Sequence, residues 1–140
     1  MADDVLLNKA ATIERCPMRI EDEYLGYENE IDSNFTRQDS IVLNQLRACE
    51  ASIDLATHLV RSWKLGLPQE RREAFTLLEQ AGLLNAALAA RMKAMIGFRN
   101  VAVHDYQKLN LGIIKSILEK HLDDFRRYTA VALQSDNNRQ

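Results

Sequence analysis

A chain of 140 residues is long enough to bury one sizeable core and short enough to form a single domain. Only two prolines and five glycines, with frequent Leu and Ala, point to an all-α protein. The net charge of −2 excludes a binder that works by diffuse positive charge, so any nucleic-acid surface has to be local, and no apolar run approaches the ~20 residues that cross a bilayer.

The first helix is predicted from about Asp3 to the low twenties. Asp3 and Asp4 sit at its positive end, and Leu6, Ala10, Ile13, Ile20 and Tyr24 recur at helical spacing. Pro17 removes a backbone donor and is expected to kink or split it. The N-terminus lacks a basic segment followed by an apolar block, so no signal peptide is expected. From about Gly26 to Asn34 the text reads as a loop.

The second helix is predicted with Thr36 as its cap and Asp39 three residues later in the manner of a capping box. Val42, Leu46, Cys49, Ile53, Ala56, Val60 and Trp63 then alternate spacings of four and three, the seam of a coiled-coil-like helix. Gly66 reads as its end and Pro68 as the first turn of a short third helix, which Gly82 closes near Ala81. A fourth helix is expected from about Asn85 to Arg99 or just beyond. A fifth is expected from near Asn110 to about Leu133, with Leu111, Ile114, Leu118, Phe125 and Tyr128 on one face. The reading is an all-α antiparallel four-helix bundle with an additional short helix over residues 1–134, followed by a polar tail over 135–140.

Cys16 and Cys49 fall at apolar helical positions and read as reduced core thiols of a cytoplasmic protein. No Cys/His cluster has zinc spacing and no glycine-rich phosphate loop is present, so neither metal nor cofactor is expected. His121 lies on the apolar face of the last helix and reads as a satisfied core or interface histidine. His58 reads as solvated. Arg71, Arg72, Arg126 and Arg127 read as solvated cations, some of which would line a groove if the ligand is RNA.

Chemistry concentrates in one stretch, Arg99-Asn100-Val101-Ala102-Val103-His104-Asp105-Tyr106. Arg99 falls inside the apolar arc of Leu84, Leu88, Met92 and Met95, and a fixed cation there needs an anion. Glu50, at the edge of the second helix's seam, and Asp54 are the protein's own options. On an unbroken helix Arg99 and His104 point roughly 140° apart, so they can cooperate only if the helix ends between them. Asn100, Val101 and Val103 make such an end plausible. His104 is either a loop histidine or a proton-transfer group. Asn100 either caps the helix or bonds a phosphate or His104. Tyr106 is either an ordinary amphipathic tyrosine or a nucleophile.

The form Arg-x4-His-x-Tyr, with a polar Asn100 after the arginine, resembles the Arg-x4-6-His signature of HEPN domains, and within them is similar to the HepT-type toxins that pair with MntA nucleotidyltransferase antitoxins. The stretch DSIVLNQLRACEASIDLATHL and the FTLL segment from Phe75 to Leu78 share the likeness, which covers nearly the whole chain except the polar tail. The resemblance implies a HEPN-like homodimer with its cleft at the subunit interface. It further implies the toxin of a type VII-like toxin–antitoxin pair, a metal-independent endonuclease acting on tRNA or mRNA. Arg99 and His104 would be catalytic, Asn100 and Glu50 supporting, and Tyr106 the acceptor of AMP from an MntA-like antitoxin. Two alternatives stay open: a non-catalytic HEPN module that binds a nucleotide or RNA, and a helical adaptor for a nucleotidyltransferase partner.

Overall fold

Helix α1, Asp4–Tyr24, starts where Asp3 accepts a hydrogen bond from the Leu6 N–H (3.1 Å), satisfying one of the free donors of the first turn. The computed structural model describes residues 3–104 and 111–139. α1 passes through Pro17 without being split. The lost donor costs one hydrogen bond, to the carbonyl of Ile13, and the burial of Ile13, Cys16, Pro17 and Ile20 against the rest of the core outweighs it. A 3-10 turn, Glu28–Glu30, sits within the expected loop.

Helix α2, Phe35–Ser62, begins two residues earlier than a Thr36 cap would allow: Asn34 is the cap, its side-chain oxygen accepting from the Arg37 N–H (3.1 Å). The helix is the centre of the molecule. Its buried arc is wider than the predicted seam and includes Ile41, Ala48, Leu55 and Leu59, because α1, α3 and α4 all pack on it. The contacts Asp3–His58, Lys9–Asp54 and Glu23–Arg37 run in opposite directions along α1 and α2, so the pair is antiparallel.

α2 closes at Trp63, before Gly66, and α3, Arg71–Gln80, starts three residues after Pro68. The end of α3 is as predicted. Gly82 has φ +83°, its N–H donates to the Glu79 carbonyl, and the Leu83 N–H reaches back to Leu78 (3.0 Å each). That double bond at a left-handed residue is why a glycine is needed there.

Helix α4 spans Ala86–His104, and the Leu88 N–H donates to the Asn85 side chain at its start (2.8 Å). The predicted fifth helix is two helices, α5 Leu111–Lys120 and α6 Leu122–Arg139, separated at His121. The Asp124 carboxylate bonds the His121 ring (Nδ1–Oδ2, 3.0 Å), and Asp123 and Asp124 stand at the positive end of α6. α6 runs on through 135–139, beyond the expected end near Leu133, and Ser135 is buried. Tyr128 lies wholly inside, its hydroxyl donating to the Ser52 carbonyl (2.9 Å) and its ring edge-on to Phe75. Among the described residues the regular elements are all helical, a bundle with two short helices, α3 and α5, of ten residues each where one was expected.

Candidate active site

Arg99 projects from α4 toward α2, and its Nε donates to the Glu50 carboxylate. Only 12% of its side chain is exposed, so the guanidinium occupies the inward position that the apolar arc implied and Glu50 is the anion that receives it. Asp54, the other option, is engaged by Lys9 (3.2 Å). A second bond runs from Arg99 Nη1 to the side-chain oxygen of Asn100 (3.1 Å). Among the described residues these two bonds engage Nε and Nη1, and the remaining guanidinium N–H groups are of the kind that bind an oxyanion.

The burial of Glu50's neighbour shows how closely this pair borders the core. Cys49 is fully buried, and its thiol is pushed far up, by burial first and then by the negative charge of Glu50. Arg99 acts in the opposite sense on it. Cys16 is raised in the same way by burial, and both thiols are free.

The helix does not end between Arg99 and His104. α4 continues unbroken through His104, so the predicted break is absent and the two side chains leave the helix roughly 140° apart. The run Val101-Ala102-Val103 stays helical because Ala102 is buried against the core while Val103 faces outward. His104 is exposed on the last turn of α4. Tyr106 and Asp105 lie outside the described residues.

Asn100 is one turn before His104 and also exposed. It lines a cleft of about 380 Å³ between α3 and α4, together with Glu70, Arg71, Arg72 and Ile96. This cleft is the feature that sequence reasoning left unplaced: Arg71 and Arg72 look like any solvated pair until α3 is docked on α4. Arg126, by contrast, is tied to Glu21 and Asp123. His121 is held by Asp124 and Arg91 stands 3.6 Å from the same carboxylate, which accords with a satisfied histidine. His58 is not solvated but bonded to Asp3 (2.6 Å). Among the described residues no group of three or more His, Cys, Asp or Glu side chains converges as a metal site would require, and no helix is long and apolar enough to cross a membrane.

Residues 13–132 match the family model described as ribonuclease HepT-like. The chain is 46% identical over 129 residues to the mRNA nuclease HepT of Shewanella oneidensis, covering 92% of this chain and 96% of that protein. Its fold superposes with a TM-score of 0.87 on the tri-AMPylated HEPN toxin of Shewanella oneidensis in complex with the MNT antitoxin, at 46% identity over 92% of this chain and 96% of that one. A toxin–antitoxin structure with AMP-PNP matches equally well, with a TM-score of 0.87 at 46% identity over 92% of this chain and 97% of its own.

Proposed function

The chain belongs to the HepT-like ribonuclease family, and on that premise we propose that it is an RNA endonuclease, the toxin of a toxin–antitoxin pair acting on mRNA in the cytoplasm. The observation that carries the reading is Arg99: an inward cation, fixed by Glu50 and steadied by Asn100, five residues before an exposed histidine on the same helix. Its preorganised N–H donors suit the charge that grows on phosphate oxygens in a transition state, a contribution of ~3 kcal/mol or more per group.

The reaction needs no metal in this reading. The 2′-oxygen of the RNA attacks the adjacent phosphorus, and the bond from phosphorus to the 5′-oxygen breaks. His104 takes the 2′-hydroxyl proton, a second imidazole returns a proton to the leaving 5′-oxygen, and the ends are a 2′,3′-cyclic phosphate and a 5′-hydroxyl. One histidine cannot serve as base and acid in a single step. The unbroken α4 adds a geometric reason for two copies, because one chain splays Arg99 and His104 apart. A two-fold homodimer with the α4 ends in one cleft supplies a second Arg99–His104 pair, so that both imidazoles and both guanidiniums come from two chains rather than one.

Tyr106 is the proposed switch. Its phenol oxygen attacks the α-phosphorus of ATP on an MntA-like nucleotidyltransferase, its proton is lost, pyrophosphate leaves, and the phosphodiester formed adds one negative charge two residues along the chain from His104. The AMP-modified state and antitoxin complex of the Shewanella oneidensis relative support this. The deciding experiment incubates the pure protein with mRNA in EDTA and determines the fragment ends. Cyclic phosphate and 5′-hydroxyl ends are expected; cleavage that stops in EDTA and returns with magnesium overturns the chemistry.

A further inference from the structure

We propose that Arg72, with Arg71 beside it, holds a backbone phosphate of the RNA strand next to the scissile one, an inference that rests on the ribonuclease reading above. Three observations place the contact. First, α3 docks on the face of α4 that carries Gly97 and Asn100, and a Cβ added at Gly97 would stand 3.7 Å from Arg72 Nη2. The guanidinium therefore lies against a patch of α4 that has no side chain. Second, Arg71, Arg72 and Asn100 line one cleft, and Asn100 is at the same time bonded to Arg99 and one turn from His104. The cleft thus opens onto the face of α4 that carries Asn100 and His104 rather than elsewhere on the surface. Third, among the described residues no ion pair joins Arg71 or Arg72 to a carboxylate; Arg15, Arg47, Arg61 and Arg127 share that state, but only Arg71 and Arg72 line the cleft beside Asn100.

In a protein of net charge −2 these two cations make a local positive site. Glu70 is the carboxylate on the lining, so the cleft keeps one net positive charge, enough for one phosphodiester and not for a polyphosphate. Arginine suits the task because its planar fork can grip two phosphate oxygens. A strand that enters here passes Arg72, then Asn100, then the Arg99 phosphate. Arg72 is in this scheme a binding residue that does not touch the reacting atoms.

The test compares the full-length wild type with Arg72→Ala, Arg72→Lys and, as a control on α6, Arg127→Ala. The probe is a fluorescein-labelled, 2′-O-methylated single-stranded RNA of mixed sequence, which keeps every phosphate and lacks the attacking hydroxyl. Anisotropy titrations at several salt concentrations are expected to show Arg72→Ala binding roughly tenfold more weakly, with the slope of log affinity against log salt reduced by about 0.7. Arg72→Lys should restore the slope, and Arg127→Ala should match the wild type. On cleavable RNA the KM of Arg72→Ala rises while kcat stays within about twofold of wild type. A wild type that binds and cuts RNA, with Arg72→Ala indistinguishable from Arg127→Ala in slope and KM, overturns this inference alone. A wild type that neither binds nor cuts RNA overturns the ribonuclease reading and this contact with it.

Discussion

Arg99 is costly where it stands, and among the described residues the Glu50 carboxylate offsets that cost. Replacing either partner therefore has separable effects. Arg99→Ala and His104→Ala are expected to keep their helical circular dichroism and lose at least ~100-fold in cleavage rate, the scale seen when a preorganised donor or a proton-transfer group is removed. Full activity in either folded variant removes the mechanism. Glu50→Gln keeps the shape and removes the charge. Arg99 is then held less firmly, and kcat should fall about tenfold with KM little changed, as when a positioning contact is lost. Tyr106→Phe should block the mass gain produced by the nucleotidyltransferase partner, ATP and magnesium, and leave a nuclease that its antitoxin no longer silences. A mass gain persisting in Tyr106→Phe places the AMP elsewhere. The inward arginine was legible in the sequence, since helical spacing puts it inside an apolar arc, whereas Glu50 rather than Asp54 became its partner only through the packing of α4 on α2. The continuation of α4 through His104 was not, because β-branched residues and an asparagine lower helix propensity by only tenths of a kcal/mol each and the burial of Ala102 decides the matter.

Helix ends and helix interiors carry the stability that can be tested at the next scale. Asp3 caps α1 and also receives His58 of α2. Burial pushes its carboxyl up, but the hydrogen bonds from His58 and the Leu6 N–H together bring it below the usual aspartate value. A folded value below the unfolded one means that the stabilisation is complete above the unfolded value and is lost as pH falls through the folded one. Asp3→Ala should cost about 1 kcal/mol at neutral pH, typical of a lost cap, and the gap to wild type should close as the unfolding midpoint is followed into acid. A gap independent of pH would contradict the ionised cap. Gln45 presents the opposite case. Its amide is wholly buried in α2, and among the described residues neither polar atom has a hydrogen-bond partner. Gln45→Met keeps the volume and removes the desolvated groups, and thermal unfolding should show a gain on the order of 1 kcal/mol. The sequence marks neither residue for these roles: Asp3 reads only as a carboxylate at the positive end of the first helix, and its second partner is 55 residues away.

At the scale of the whole molecule the question is how many chains make one active site. The splay of Arg99 and His104 on one straight helix predicts a homodimer, and light scattering should find it at micromolar concentration. Val103, 45% exposed beside His104, would lie in the shared cleft. Val103→Asp should weaken the dimer and lower cleavage in step with dissociation. A fully active monomer would sink the shared site.

The all-helical class, the order of the elements, the Gly82 helix end and the residues of the core follow from composition and from periodicity, because burying one face of each helix is a local pattern written along the chain. The grouping of Arg99 with His104 in one motif was equally readable. What only the tertiary structure decided depends on contacts between distant elements. Packing against α2 keeps α1 whole across Pro17, the Asp124–His121 bond accompanies a break between α5 and α6 within a single apolar stripe, and the docking of α3 on α4 selects Arg71 and Arg72 from four arginines that look alike in the sequence. Each is a balance between a small local preference and a larger burial or electrostatic energy supplied by another part of the chain, and local spacing carries no record of that second contribution.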